Sequence, residues 1–226
     1  PPSPGPADVP RARPVPRGPP SPAVAPVATP TVEPTATPVP PDTSWMERYR
    51  GRKMTRIQTS QRLVALTFDD GPNYRTRTAV DILDSFGGKG TFFATWWCSR
   101  QPDNALVNQY VVAQGHELAN HTTHHKPLTK SYAFDIAEIM GIERMLISQT
   151  GKETTWVRAM GGGVNATGLE ATRRTGHLYA QWSIDSLDSR RPYTEPDKIY
   201  HNVVDQVGPG DVILLHVTHP ASLPAL

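Results

Sequence analysis

Short apolar runs alternate with amphipathic helical patterns from residue 62 onward, and this alternation constrains the fold more than any other feature of the sequence. The six runs are residues 63–68, 91–95, 116–119, 156–160, 178–184 and 212–217. Apolar residues at helical spacing separate them, and Gly87, Gly115 and Gly151 follow three of the helical patterns. Strands that alternate with helices in this way are typical of βα units around a parallel sheet. We therefore predict an α/β fold.

Two further helices are predicted late in the chain. Asn165 is a suitable N-cap for a helix that ends at Gly176, and Asp197 is a suitable N-cap for one that ends at Gly208. These helices continue the alternation.

The N-terminal segment differs in composition from the rest. Of the 24 prolines in the chain, 16 lie in residues 1–41, mixed with Ala, Thr, Val and Ser. Such a segment cannot bury a core and favours an extended spacer. We predict a disordered linker or stalk over residues 1–43, a lead-in segment over 44–61 and one folded domain over 62–226. Tracts of this kind often hold a domain away from an envelope, so we expect a secreted or envelope-associated protein, although no export signal is present in the chain.

The net charge, the length of the apolar runs and the cysteine count exclude several classes of partner and site. A net charge of +2 is too small to indicate a nucleic-acid binder, and no apolar run approaches the length of a membrane span. The single cysteine, Cys98, excludes an internal disulfide and a site with several cysteine ligands. We expect a monomer without a transmembrane segment.

Polar side chains with useful chemistry follow the apolar runs. They are Asp69 and Asp70 after the first run, His121, His124 and His125 after the third, Arg158 in the fourth, Asp188 after the fifth and His216 in the sixth. Because the active sites of parallel α/β folds collect at the carboxyl ends of the strands, we expect these residues to lie together.

The three histidines lie in the stretch N-H-T-T-H-H-K-P-L. Imidazoles three or four residues apart can converge on one cation, and a carboxylate from another strand completes a His-His-Asp set. Histidines in a polar loop are also common surface residues, and either His124 or His125 could be the second ligand. The Asp69–Asp70 pair strengthens the metal interpretation, because adjacent side chains on a strand alternate in direction and can take separate roles. An ordinary Asp-Gly-Pro turn would explain Asp70 but not both acids.

Five short motifs occur in order between residues 62 and 219. They are T-F-D-D-G-P at 67–72, H-T-T-H-H at 121–125, R-A-M-G-G at 158–162, W-S-I-D-S-L-D at 182–188 and L-L-H at 214–216. Together they resemble the polysaccharide deacetylases, carbohydrate esterase family four. The resemblance implies a distorted (β/α) barrel that forms the catalytic domain. Because the chain ends at Leu226, soon after the last motif, we expect this barrel to be incomplete at its C-terminus.

The resemblance also implies roles for individual residues. Asp70, His121 and His125 would bind a divalent metal, with Zn²⁺ expected first and Co²⁺ or Ni²⁺ as alternatives. Asp69 would be the general base, oriented by Arg158.

The remaining roles concern the departing group and the acetyl pocket. His216 would be the general acid, oriented by Asp188. The backbone N–H of Gly161 would stabilise an oxyanion, and Leu214 would line the pocket for the acetyl methyl. The implied reaction is metal-dependent removal of N-acetyl groups from an amino-sugar polymer, with peptidoglycan N-acetylglucosamine first and chitin oligomers second.

Three positions depart from the family pattern. Gly161 replaces a tyrosine, Ser189 replaces a tryptophan, and Val217 stands where an acidic residue is common. An impaired glycan-binding module of the same fold and an acetylxylan esterase therefore stay open as alternatives. A non-haem iron oxygenase fits less well, because its carboxylate usually lies two residues after the first histidine.

Overall fold

The computed structural model describes residues 43–192 and 194–226, so the predicted linker lies outside the described residues apart from Thr43. The strands are β1 (Lys53–Met54), β2 (Ala65–Gly71), β3 (Gly90–Ala94), β4 (Glu117–Asn120), β5 (Trp156–Val157), β6 (Leu178–Ala180), β7 (Ile184–Asp185) and β8 (Val212–His216). The helices are α1 (Tyr74–Ser85), α2 (Trp96–Ser99), α3 (Pro102–Ala113), α4 (Tyr132–Thr150), α5 (Ala166–Arg174) and α6 (Pro196–Val204). Short 3₁₀ helices cover Ser44–Arg48 and Met160–Gly162.

Among the described helices, none is both long and apolar enough to cross a membrane.

The strands form one sheet in the order β1-β6-β5-β4-β3-β2-β8-β7, and each pair of neighbouring strands is parallel. The sheet curls into a half-barrel with β1 and β7 at its edges. An isolated antiparallel bridge between Arg56 and Asp211 crosses the gap near β8, where the Arg56 guanidinium contacts the Asp211 carboxylate at 2.5 Å. The α/β prediction is therefore confirmed.

Side chains alternate between the two faces of the sheet. On one face, Phe92, Ile213 and Leu215 pack with Val80 and Val111 of the helices. The other face carries a second cluster of buried residues, namely Met54, Phe93, Ala119, Ala180 and Val212, which lines the concave side. The core thus occupies both sides of the sheet, and the polar site lies at the ends of the strands.

The fifth apolar run forms two strands rather than one. The N–H of Gln181 donates to Met54 on one side, whereas that of Ser183 donates to Val212 on the other, so the chain passes from one edge of the half-barrel to the opposite edge. Strand β1 lies within the predicted lead-in, and only one of its residues, Met54, is buried. One buried residue gives no periodic pattern, so the sequence does not indicate this strand.

The start of the first run is not buried. Leu63 and Val64 are 59% and 45% exposed, and β2 begins only at Ala65. They line an open apolar cavity of about 600 Å³ near Ile57 and Leu83.

The helix starts agree with the sequence in one case and not in another. Asn165 caps α5, and its side chain accepts from the N–H of Gly168 at 2.9 Å. For α6 the expected Asp197 cap is wrong. Glu195 is the N-cap, because Pro196 at the next position already has the φ angle that begins a helix.

Candidate active site

The two aspartates at the end of β2 both face the centre of the site. The pairing of β2 with β3 shifts between Phe68 and Gly71, and Asp70 has a left-handed φ of 69°. This irregularity overrides simple alternation. As a result, His121 Nε2 lies 3.5 Å from Asp69 Oδ2 and 3.5 Å from Asp70 Oδ1.

Asp69 forms a buried ion pair with Arg158. The guanidinium donates to Asp69 Oδ1 at 2.8 Å, to Thr67 Oγ1 at 2.9 Å and to the carbonyl of Gln181 at 3.1 Å. It also lies over the Phe93 ring at 4.0 Å, and the whole side chain is excluded from solvent. These contacts hold the Asp69 carboxylate in one orientation and leave Oδ2 facing the centre.

Asp70, His121 and His125 bring three potential metal ligands together. Asp70 Oδ1 is 3.5 Å from His121 Nε2 and 3.2 Å from His125 Nε2, and the three ligand atoms lie within 4.8 Å of one another. His121 Nδ1 donates to the Arg158 carbonyl at 2.8 Å, which leaves the Nε2 lone pair directed at the centre in the neutral imidazole.

The electrostatics of this trio fit a divalent cation. Asp70 Oδ1 is buried without a hydrogen bond in the described residues. Burial alone would raise the pKa of Asp70, but the imidazoles of His121 and His125 lower it from 3.8 to about 2. Burial likewise opposes charge on His121, yet the carboxylates of Asp69 and Asp70 raise its pKa overall. The site therefore attracts positive charge and offers nitrogen and oxygen ligands for it.

A second pair lies beside the first. His216 is the β8 residue paired with Asp69 of β2. Its Nδ1 lies 2.7 Å from Asp188 Oδ1, while Asp188 Oδ2 accepts from the His216 N–H at 2.7 Å and from the Ser222 hydroxyl at 2.6 Å. Burial alone lowers the pKa of His216, but the hydrogen bond and charge of Asp188 outweigh it and raise the pKa from 6.5 to about 9. His216 is therefore protonated at neutral pH.

His124 lies apart from this centre. Its side chain is 69% exposed, and its Nδ1 lies 2.6 Å from Glu138 Oε1 on α4. Of the two alternatives left open by the sequence, the structure places His125 with Asp70.

Gly161 and Leu214 are the remaining expected site residues, and Ser189 and Val217 are two of the positions that depart from the family pattern. Gly161 lies in the 3₁₀ turn after β5 with a φ of 57°, a conformation that glycine adopts without strain. Leu214 is buried and is two residues before His216, so both side chains lie on the same face of β8. Ser189 is exposed, and Val217 packs in the core between sheet and helices.

Some neighbours of the site were missed by sequence reasoning. Gln181 contacts Arg158 and Ser222 contacts Asp188 through tertiary structure, and no local pattern marks either residue. Thr67 belongs to the T-F-D-D-G-P motif, but the sequence indicates no role for its hydroxyl, whereas in the structure it accepts from Arg158. Trp97 is different, because it lies in α2, the short helix that comes soon after β3 in the sequence. Its ring is 45% exposed and lies edge-on to His125 at a centroid distance of 5.6 Å. A tryptophan soon after the end of a strand is a local signal of a residue at the site, and the sequence contains it.

Comparison with known proteins decides the family. A family model described as polysaccharide deacetylase matches residues 56–180. The chain belongs to the polysaccharide deacetylase family. The resemblance seen in the five motifs is confirmed, as is the expectation of a hydrolase that removes N-acetyl groups from polysaccharides.

Curated relatives and solved structures of polysaccharide deacetylases agree with this assignment. The chain is 32% identical to a chitooligosaccharide deacetylase of Bradyrhizobium sp. (strain ANU 289) over 163 residues, which cover 70% of this chain and 72% of the relative. It is 28% identical to a peptidoglycan-N-acetylglucosamine deacetylase of Bacillus cereus over 163 residues, covering 71% and 75%. A solved pseudoenzyme of this family from Bacillus anthracis has a TM-score of 0.73 at 21% identity, covering 80% of this chain and 63% of that chain, and it shows the fold alone. The expected distorted (β/α) barrel is confirmed.

Proposed function

We propose that this polysaccharide deacetylase is a metal-dependent N-deacetylase of amino-sugar polymers. Peptidoglycan N-acetylglucosamine is the substrate that we favour, and chitin oligomers are the second candidate. One observation carries the proposal. The Asp70–His121–His125 trio lies beside a carboxylate oriented by Arg158 and a histidine held protonated by Asp188. The names of the relatives support both polymer classes.

Asp70, His121 and His125 would hold the metal, and we propose Zn²⁺, with Co²⁺ or Ni²⁺ able to replace it. When bound, the cation supplies a water of lowered pKa and polarises the amide carbonyl.

Asp69 acts as the general base at Oδ2. Its other oxygen is occupied by Arg158 at 2.8 Å, so only Oδ2 is directed at the centre, next to His121. Oδ2 takes the proton of the attacking water as the new carbon–oxygen bond forms. The backbone N–H of Gly161 stabilises the negative charge that develops on the carbonyl oxygen, and Leu214 contacts the acetyl methyl.

His216 acts as the general acid. Because Nδ1 donates to Asp188, the proton available to the substrate is on Nε2. His216 gives this proton to the amide nitrogen as the carbon–nitrogen bond breaks, which releases acetate and a free amine.

The wider organisation is part of the proposal. We propose that residues 1–43 form a linker, that residues 62–226 form the catalytic domain, to whose sheet the lead-in over 44–61 contributes β1, and that the protein is a monomer that is secreted or associated with the cell envelope. The proline-rich composition of the N-terminal segment supports this organisation.

The test is acetate release from N-acetylglucosamine oligomers and from peptidoglycan, using the full chain with and without a chelator. We expect release that stops with chelator and returns with added Zn²⁺. Binding to either polymer without acetate release would instead favour the glycan-binding alternative, and release from acetylated xylan alone would favour the esterase.

Asp69→Asn separates the roles of the two aspartates. We expect turnover to be abolished while zinc binding, measured by calorimetry, is retained. Loss of zinc binding in this variant would show that Asp69, and not Asp70, is the metal ligand.

A further inference from the structure

The loop between His121 and His125 is attached to helix α4 by its middle residues. The N–H and the hydroxyl of Thr123 both donate to the carbonyl of Glu138, at 2.8 Å and 2.7 Å. The same hydroxyl accepts from the N–H of Ile142 at 3.0 Å. In a regular α-helix the N–H of residue 142 would donate to the carbonyl of residue 138, so the Thr123 hydroxyl bridges a pair of helix groups.

Gly141 makes this close approach possible. A Cβ atom at position 141 would lie 2.3 Å from Thr123 Oγ1 and 3.0 Å from its methyl carbon. Since real atoms do not approach so closely, any side chain at this position would push the loop away from α4. Gly141 lies in the interior of α4, where helix propensity alone would favour alanine. The close contact with Thr123 therefore explains the glycine at this position.

Glu138 forms the second attachment. Its carboxylate is buried, and Oε2 accepts from the backbone N–H of His124 at 2.8 Å while Oε1 lies 2.6 Å from His124 Nδ1. The exposed His124 therefore covers the outer side of a buried carboxylate that holds the loop backbone.

The loop needs such support because its conformation is unfavourable by itself. Thr122 and His125 have left-handed φ angles of 65° and 50°, which side chains with a Cβ rarely adopt. The residues with these angles flank the two that are attached to α4. Contacts with the helix therefore select the conformation in which His125 Nε2 lies 3.2 Å from Asp70 Oδ1.

We propose that Thr123 and Glu138 are positioning residues that hold His125 opposite Asp70, so that helix α4 determines how tightly the site binds a divalent cation. This inference rests on the proposed metal-dependent function. Neither residue belongs to the proposed metal ligands, base or acid.

The experiment measures zinc affinity by calorimetry with the full chain, freed of metal beforehand. Thr123→Val keeps the shape of the side chain but removes the hydroxyl, and Glu138→Ala removes the carboxylate. We expect each to weaken zinc binding by about 10-fold to 100-fold, the usual effect of losing a residue that orients a ligand.

Conservative variants separate positioning from general stability. Thr123→Ser keeps the hydroxyl and Glu138→Gln keeps an acceptor for the His124 N–H, so we expect both to bind zinc within a few-fold of the unchanged chain. Asp135→Asn is the matched control, because Asp135 is a buried carboxylate on the same helix without a hydrogen bond to the loop. We expect its zinc affinity to be unchanged.

The outcomes are distinct. If the unchanged chain, Thr123→Val and Glu138→Ala bind zinc equally tightly, the inference is wrong while the proposed function stands. If the unchanged chain binds no zinc, the proposed function is wrong and the inference falls with it. Should Thr123→Val and Glu138→Ala fail to fold, His124→Ala removes a single contact with Glu138 at the surface, and zinc binding weakened several-fold would support the inference, whereas unchanged binding would refute it.

Discussion

Replacement of Asp188 by asparagine is the sharpest test of the proposed acid. Burial alone would lower the pKa of His216, but the fully buried Asp188 carboxylate, with smaller contributions from Asp69 and Asp70, raises it from 6.5 to about 9. A difference of about 2.5 in pKa corresponds to about 3 kcal/mol in favour of the protonated imidazole. Asp188→Asn removes this charge, and we expect the pKa of His216 to fall towards its ordinary value.

The expected effect depends strongly on pH. At pH 8 a histidine with a pKa of about 9 is about 90% protonated, whereas one with a pKa of 6.5 is about 3% protonated, so the variant should be up to about 30-fold less active. At pH 6 both are mostly protonated and the difference should nearly vanish. A variant that is merely misfolded would lose activity equally at both pH values.

The assay is kcat/KM for acetate release from N-acetylglucosamine oligomers between pH 5.5 and 10, with zinc preloaded. The apparent pKa of the alkaline limb should fall in Asp188→Asn from that of the unchanged chain towards the ordinary value of a histidine. Ser222→Ala is the matched control, because it removes one hydrogen bond to Asp188 Oδ2 but keeps the charge, and its limb should stay near that of the unchanged chain. An alkaline limb that stays in place in Asp188→Asn would refute the assignment of His216 as the acid.

Further predictions concern the other charges of the site. Arg158→Met should destabilise the fold by about 3–5 kcal/mol in urea denaturation, because it leaves the Asp69 carboxylate buried without its partner; a loss below about 1 kcal/mol would contradict the ion pair. Asp70→Asn should weaken zinc binding by at least about 100-fold in calorimetry, since the only carboxylate of the ligand set is lost; unchanged affinity would show that another carboxylate holds the metal. The Asp188–His216 pair should stabilise the fold fully below pH 6.5 and lose this contribution as the pH rises through about 9, so the difference in melting temperature between the unchanged chain and Asp188→Asn should shrink above that pH.

Much of the architecture could be predicted from the sequence because the alternation of apolar runs with helical patterns is local. The active sites of parallel α/β folds collect at the carboxyl ends of the strands, and this rule predicts that Asp69, His121 and His216 lie together at one end of the sheet. The five motifs supplied the expected division of roles between Asp69 and Asp70.

Other features depend on tertiary structure and have no local pattern. The irregularity that directs both Asp69 and Asp70 to His121 arises from the pairing of β2 with β3, and alternation alone would have separated them. The division of run 178–184 into β6 and β7 depends on hydrogen bonds to opposite edges of the half-barrel. The attachment of Thr123 to Glu138 joins positions that are 15 residues apart.

The pairing of Asp69 with His216 has a consequence for how this enzyme could change during evolution. The proposed base and acid occupy opposing positions of adjacent strands, so backbone hydrogen bonds keep their main chains about 4.8 Å apart. Apart from those that carry or contact site residues, such as the 121–125 loop with its two proposed metal ligands, the segments beyond the strand ends take no part in this site or in that ladder. Exchange of these segments can therefore alter polymer preference while the spacing of Asp69 and His216 is conserved. Grafting of such segments from relatives is then a direct route to new specificities.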